Sequence, residues 1–253
     1  MKEKVIKSYK RVAAIIIVAL ATISSGAVES WAVSIDKYTD EIDKTASDVS
    51  NSITEMNLDV ENILQKPSLP NGCEIVSGCI LLHHLGYGIS KDALADNYLV
   101  KSRGWYGADP YVEYMGNPHG SGWYVWQQPV INALNKYLAE QNSEYEAVNV
   151  SDQGFEKLKE VIKSGRPCAV WVTVGYGWPR YNGQVWTTKY GNTIHAQVNV
   201  HCMVIKGYDD VNGIVYLADP LGINRTVSEK TFESVWNAMG QKAITYQIKE
   251  QTN

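Results

Sequence analysis

Phenylalanine is close to absent from this chain: its 253 residues contain 2 Phe, against 16 Tyr and 8 Trp. Rings weighted so far toward those with a polar handle suit surfaces and clefts as well as a dry core. Long apolar runs are missing after Ile23, so no later segment reaches the roughly 20 apolar residues that a membrane span needs. A basic excess is missing too. The formal net charge is −4, and residues 1–32 hold Lys2, Lys4, Lys7, Lys10 and Arg11 against Glu3 and Glu29. Beyond them, 18 basic residues face 25 acidic ones, which argues against nucleic acid as a partner. No C-x-x-C pair occurs among Cys73, Cys79, Cys168 and Cys202, and His201 and Cys202, adjacent in a strand, would point to opposite faces. No metal or other cofactor is expected.

What is present begins with a charged, apolar, small-residue order. Lys2 to Arg11 is basic, Val12 to Ile23 is apolar, and Ser24-Ser25-Gly26-Ala27 and Ser30-Trp31-Ala32 follow. This is the pattern of a secretory signal peptide, with cleavage after Ala27 or Ala32. The competing reading is an uncleaved anchor, the one route to membrane contact. Either way the chain is expected to be secreted or to act at the extracytoplasmic cell surface. Residues 33–60 are polar, without Gly or Pro, and place Ile35, Tyr38, Ile42, Ala46, Val49 and Ile53 at helical steps. They read as a linker, helical or solvated, before a single domain over 61–253.

The domain is organised around Leu69-Pro70-Asn71-Gly72-Cys73-Glu74. A turn gives way at once to an apolar run in which Ile75, Cys79, Leu82 and Leu85 recur at three- and four-residue steps. Cys73 therefore opens a helix. Unpaired N–H groups and the helix dipole there favour negative charge, so the thiol is expected to ionise more easily and to serve as a nucleophile. Glu74 suits the dipole in the first turn. Gln65, in the preceding loop, could return its amide to the same carbon and, with the Cys73 backbone N–H, form a two-donor oxyanion hole. His83 and His84 end the helix about 15 Å from Cys73 at 1.5 Å per residue, too far to be its base. His119, between Pro118 and Gly120, reads as an exposed loop histidine.

Residues 101–128 carry Trp105, Tyr106, Tyr111, Tyr114, Trp123, Tyr124 and Trp126 among Gly, Pro, Asn and Asp, with no surviving period. They read equally as a lid or binding surface and as an irregular segment folded on the core. Helices are expected over 129–140 and 155–163, the second capped by Ser151 or Asp152 and stopped by Gly165. Strands are expected over 167–174, 184–189, 197–208 and 214–218. Cys168 and Cys202 fall on two of these strands, and whether they pair is open; as a default Cys79, Cys168 and Cys202 read as buried thiols.

His201 and Asp219 form the second constellation. If residues 209–213 form a five-residue loop pairing Tyr208 with Ile214, Asp219 opposes Met203, on the face of His201 and one diagonal step away. A two-residue Asn212-Gly213 hairpin would put Asp219 on the wrong face. Cysteine early on a helix, then His and Asp on adjacent strands, is the order of a papain-type site.

These residues carry a resemblance. The LPNGCE phrase with its upstream Gln, the helix ending in Leu85-Gly86-Tyr87, the run Val200 to Asp209 and Asp219-Pro220 resemble the secreted branch of cysteine peptidase family thirty-nine, over roughly 60–245. The resemblance implies an α+β, papain-like fold whose nucleophile helix packs on an antiparallel sheet. It implies Cys73 as nucleophile, His201 as base, Asp219 as orienter and Gln65 as oxyanion donor, acting on a peptide or protein substrate through a thiolate–imidazolium pair. The family's better-known members process bacteriocin leader peptides and are fused to a transporter; this chain shows no transporter and reads as exported, so leader-peptide specificity is not carried over. A cell-wall amidase or transpeptidase with the same triad, acting on cell-wall peptide, and a non-catalytic binding module on the same fold are the alternatives.

Overall fold

The computed structural model of the protein describes residues 53–222 and 224–250. The expected export signal and most of the segment 33–60 lie outside them.

Helix α1 runs from Cys73 to His84. Its start has no side-chain cap. The loop before it does that work: Gly72 N–H donates to Leu69 O at 3.0 Å, and Gly72 O accepts from Val76 N–H at 3.0 Å. Its end is a Schellman turn, in which Gly86 at φ +90° bonds to His83 O and Tyr87 bonds to Leu82 O. Ten consecutive residues, Cys73 to Leu82, are buried. The helix is thus enclosed on all sides and not along one apolar stripe. Gly78 marks how closely its neighbour approaches, since a Cβ there would lie 3.1 Å from Leu134 Cδ2.

That neighbour is α3 (Gln127–Glu140). Between them α2 (Lys91–Asn97), unforeseen in the sequence, starts at Ser90, whose Oγ accepts from Ala93 N–H at 3.1 Å. Helix α4 (Gly154–Lys163) was expected to be capped by Ser151 or Asp152. Its N-cap is Gln153 without a side-chain bond, and Asp152 (φ +59°) and Gly154 (φ +78°) turn the chain into it.

The main sheet is antiparallel throughout, in the order β2 (Tyr145–Asn149), β9 (Ala243–Ile248), β3 (Cys168–Thr173), β6 (Val200–Asp209), β7 (Ile214–Ala218), β8 (Arg225–Ser228). Helix α1 packs on β3 and β6, α3 on β2 and β9, α4 on β3 and β6, and α5 (Glu229–Ala238) on β3, β7 and β8. Every residue of β3 is buried, so it reads as an unbroken apolar run. β4 (Tyr181–Thr187) and β5 (Thr193–Gln197) form a separate hairpin. The strand expected over 197–208 is therefore two strands. Asn199 makes the break: its Oδ1 accepts from Arg180 N–H at 2.9 Å and its Nδ2 donates to Trp178 O at 3.0 Å.

The sheet begins earlier than a domain start at residue 61 would allow. β1 (Glu55–Asn57) pairs with Asp209, Tyr208 and Gly207 of β6. Gly207 is the reason, because a Cβ there would lie 2.2 Å from Met56 O. Three residues are too few to show a strand period in the sequence.

The aromatic middle divides. Tyr114, Tyr124 and Trp126 are buried, while Tyr106 and Tyr111 are exposed. Gly122 closes the loop on itself: a Cβ there would lie 2.3 Å from Asn117 O. All four cysteines are free. Cys168 is level with Ile205 and Cys202 with Trp171, three rungs apart on neighbouring strands.

A candidate active site at the start of helix α1

His201 Nε2 and Asp219 Oδ1 lie 2.8 Å apart, both side chains buried. The route to this contact differs from the expected five-residue loop. Asp209 pairs with Ile214 and Tyr208 with Val215, which leaves a four-residue loop, 210–213. A bulge then falls between Ile205 and Gly207, after which Ile205 pairs with Leu217 and Val204 with Ala218. Lys206 is the unpaired residue. Continued one rung further, this register sets Asp219 level with Met203, on the face of His201.

Asp219 is surrounded by donors. Besides His201, Leu221 N–H donates to Oδ1 at 2.9 Å and Arg225 Nε to Oδ2 at 2.8 Å. Burial pushes this carboxyl up, but the hydrogen bond and charge of His201, the Leu221 amide and Arg225 outweigh it and hold the group below its usual range. A carboxylate can only accept, so Nε2–H donates to Asp219, and Nδ1 is the ring nitrogen that makes no hydrogen bond among the described residues. Arg225 had no signal in the sequence, since an Arg six residues after an Asp across a turn belongs to no motif.

Cys73 opens α1 as expected, but its thiol is not acidified. The residue is 7% exposed, and its pKa is pushed well above the ordinary thiol value. Burial is the main cause, followed by the neighbouring Glu74 carboxyl and Cys202; the Cys202 backbone amide pulls the other way. Burial thus outweighs the pull of the Cys202 amide. The Cys73 Sγ hydrogen bond goes to Glu74 Oε2 at 3.3 Å, and none joins Cys73 to His201.

Glu74 is fully buried and not a solvated first-turn acid. Its Oε1 accepts from Val125 N–H at 3.2 Å. Burial drives its pKa up to about 7 despite those bonds. Val125 O in turn accepts from Trp171 Nε1 at 2.8 Å, so the aromatic segment is tied to both α1 and β3.

Gln65 is buried, at 2% exposure. Its backbone N–H donates to Pro220 O at 2.9 Å, fastening the loop to the corner that follows Asp219. Its side-chain Nε2 donates to Pro70 O at 2.5 Å, and its Oε1 has no partner. One of the two Nε2 hydrogens is left for another acceptor.

Three other histidines, His83, His84 and His119, are structural. His83 bridges Glu61 Oε2 (2.9 Å) and Ile89 O (2.8 Å), and His84 meets Tyr246 OH at 2.6 Å. His119 is no free loop residue: it bridges Ser68 O at 2.8 Å and Asp96 Oδ1 at 2.9 Å, pinning the aromatic loop to the segment before Cys73.

Among the described residues, the cavities that open on the surface include the following two. One of about 710 Å³ is lined by Lys159 of α4, Asp210 of the 210–213 loop and Glu229 of α5, and Cys73 is not among its lining residues. The other, of about 320 Å³, is walled by Tyr111, Tyr124, Trp126 and Tyr181 with Lys242. It adjoins the aromatic segment that carries Val125. Among the described residues, no group of three or more His, Cys, Asp or Glu side chains is arranged to hold a metal ion.

The comparisons with known proteins agree with this layout. The family described as "Peptidase_C39 like family" matches residues 57–244. An uncharacterized protein of Bacillus subtilis (strain 168), YvpB, is 30% identical over 218 residues, which is 84% of this chain and 83% of that one. The crystal structure of a candidate C39-like peptidase from Bacillus anthracis superposes with a TM-score of 0.68 at 28% identity, covering 78% of this chain and 99% of that one. The mixed helix and antiparallel-sheet architecture is thus the papain-like one of that structure. Xylellain, a cysteine protease from Xylella fastidiosa, aligns at a TM-score of 0.37 and 13% identity over 78% of this chain and 87% of its own, too distant to add weight.

Proposed function

The chain belongs to the Peptidase_C39 like family, and on that premise we propose that it is an exported cysteine peptidase working through Cys73, His201 and Asp219, with Gln65 as an oxyanion donor. The observation that carries the reading is the buried His201–Asp219 hydrogen bond, which leaves Nδ1 of a fixed imidazole unbonded among the described residues, on the strand against whose next residue, Cys202, the sulfur of Cys73 rests.

The chemistry follows from the protonation states. Burial favours the protonated thiol at Cys73, so we read the thiolate–imidazolium pair as forming when the sulfur reaches His201. His201 Nδ1 takes the proton as the sulfur attacks an amide carbonyl carbon. Asp219, already charged, stabilises the imidazolium through Nε2–H. The Cys73 backbone N–H and the second Gln65 Nε2 hydrogen receive the oxyanion, each donor worth about 2.7–4 kcal/mol. The imidazolium then protonates the leaving amine, the C–N bond breaks, and water releases the acyl group from sulfur by the same steps in reverse roles.

The substrate is a peptide or protein, and the place of action lies outside the cytoplasmic membrane. The test compares wild type and Cys73→Ala on casein-derived peptides and on muropeptides. Hydrolysis of the first by wild type alone supports the peptidase. Cleavage confined to muropeptides assigns the same site to a cell-wall amidase. Hydrolysis that survives Cys73→Ala overturns the reading.

A further inference from the structure

Glu74 is a buried acid that the mechanism above does not use, and it sits one residue from the proposed nucleophile. Its carboxyl oxygens accept from Val125 N–H at 3.2 Å and Cys73 Sγ at 3.3 Å, and its own backbone N–H adds a further stabilising contact. The ionisable groups whose charges couple to it are Cys73 on its own helix, Tyr114 and Tyr124 from the aromatic segment, and Cys202 from β6. None of these is cationic. His201, just before Cys202 on β6, spends its hydrogen bond on Asp219 and, among the described residues, makes none to Glu74. A buried carboxylate without a cation is costly, and a thiol is a weak donor to it.

We propose that Glu74 is a positioning residue for the nucleophile: its carboxyl holds the Cys73 thiol in the resting protein and shares one ionisation with it, so that the pair does not carry two negative charges at once. The proposal rests on Cys73 being the reactive thiol. Two adjacent acids in one buried site titrate as a pair, the first to ionise suppressing the second. The raised pKa of both groups is consistent with that coupling. At neutral pH the first proton lost belongs to Glu74, and the second stays on sulfur until a base removes it. The hydrogen bond from Sγ to Oε2 also turns the sulfur toward the Val125 side of the helix, so attack requires the thiol to leave Glu74 for His201. Glu74 thereby keeps the sulfur unreactive toward solvent oxidants and alkylating agents while no substrate is bound.

The test reads the thiol directly and needs no substrate. Cys73 is alkylated with iodoacetamide across pH 5–10 in the full chain, labelling is located by peptide mapping, and wild type is compared with Glu74→Gln and Glu74→Asp. The Gln side chain keeps an oxygen for Val125 N–H and presents an N–H to the sulfur. Glu74→Gln is therefore expected to lower the pH midpoint of labelling by one unit or more, which is about tenfold faster alkylation at neutral pH. Glu74→Asp, which keeps the charge, is expected to stay near wild type. Equal midpoints in wild type and a folded Glu74→Gln overturn the proposal and leave the peptidase reading standing; surviving hydrolysis in Cys73→Ala would overturn that reading separately. Should Glu74→Gln fail to fold, the wild-type infrared S–H band of Cys73, assigned by its loss in Cys73→Ala, decides. It is expected to shift as the Glu74 carboxyl titrates, and a band that does not move over that range refutes the shared ionisation.

Discussion

At Asp219 one carboxylate serves three donors: His201 Nε2, Leu221 N–H and Arg225 Nε. Asparagine would offer one oxygen and an N–H₂ that must face a donor. Asp219→Asn keeps that oxygen for His201 and Leu221 but faces its N–H₂ to Arg225 and removes the charge that stabilises the imidazolium, so kcat is expected to fall, by up to about 10⁴-fold. Steady-state kinetics with near-ultraviolet circular dichroism as the fold control checks this. The two buried acids of the site act on stability with opposite signs. Asp219 has a lowered folded pKa, so its contribution is present at neutral pH and is lost as pH falls through that lowered value, in the acid range below about 4. Glu74 is raised from 4.5 to about 7, so the native state binds the extra proton and stability declines as pH rises across that interval, by a total of about 3 kcal/mol. Glu74→Gln should flatten that decline. Urea unfolding at pH 5, 6, 7 and 8 measures it, and equal slopes in the two proteins would count against the assignment.

Among the elements, α1, β3 and β7 were legible because burial leaves a plain apolar trace. Ile214 to Ala218 is a strand in the structure with the bounds its sequence suggested. β1 was not legible, since its reason lies 150 residues away in a missing Cβ at Gly207. The same holds for the bonds that place Gln65 and His119, which run to Pro220, Ser68 and Asp96 and leave no local pattern. Acidification of Cys73 was expected from the helix end, a local effect. Burial, a tertiary effect, overrode it. Gly207→Val is expected to displace β1 and cost about 1–3 kcal/mol as overpacking. Limited proteolysis should then cut within residues 53–58, which stay protected in the wild type. Gly213→Ala, in a turn where a Cβ would meet no atom, is the control: its strain at φ +62° should lower stability without exposing β1.

For the whole molecule, the covalent chain carries no cross-link. Cys73, Cys79, Cys168 and Cys202 are all free and buried. Stability must come from the packed sheet and its helices on both faces, as a domain of this size allows. Dithiothreitol should therefore leave the midpoint of thermal unfolding unchanged, to within about 1 °C. A drop of several degrees would reveal a bridge. Lys159 contributes at the same scale, since its ammonium joins Glu156, Asp210 and Glu229 from α4, the 210–213 loop and α5. Those bonds raise its pKa well above the ordinary lysine value against the pull of burial.

The bulge at Lys206 has a bearing on how such hairpins vary. The 210–213 loop and the bulge each set a share of the offset between the strands, and what reaches His201 is their sum. A turn could gain a residue and the strand give up its bulge, and the dyad would keep its geometry. The quantity under constraint is the chain length from His201 to Asp219, while the turn and the strand are free to trade residues between them.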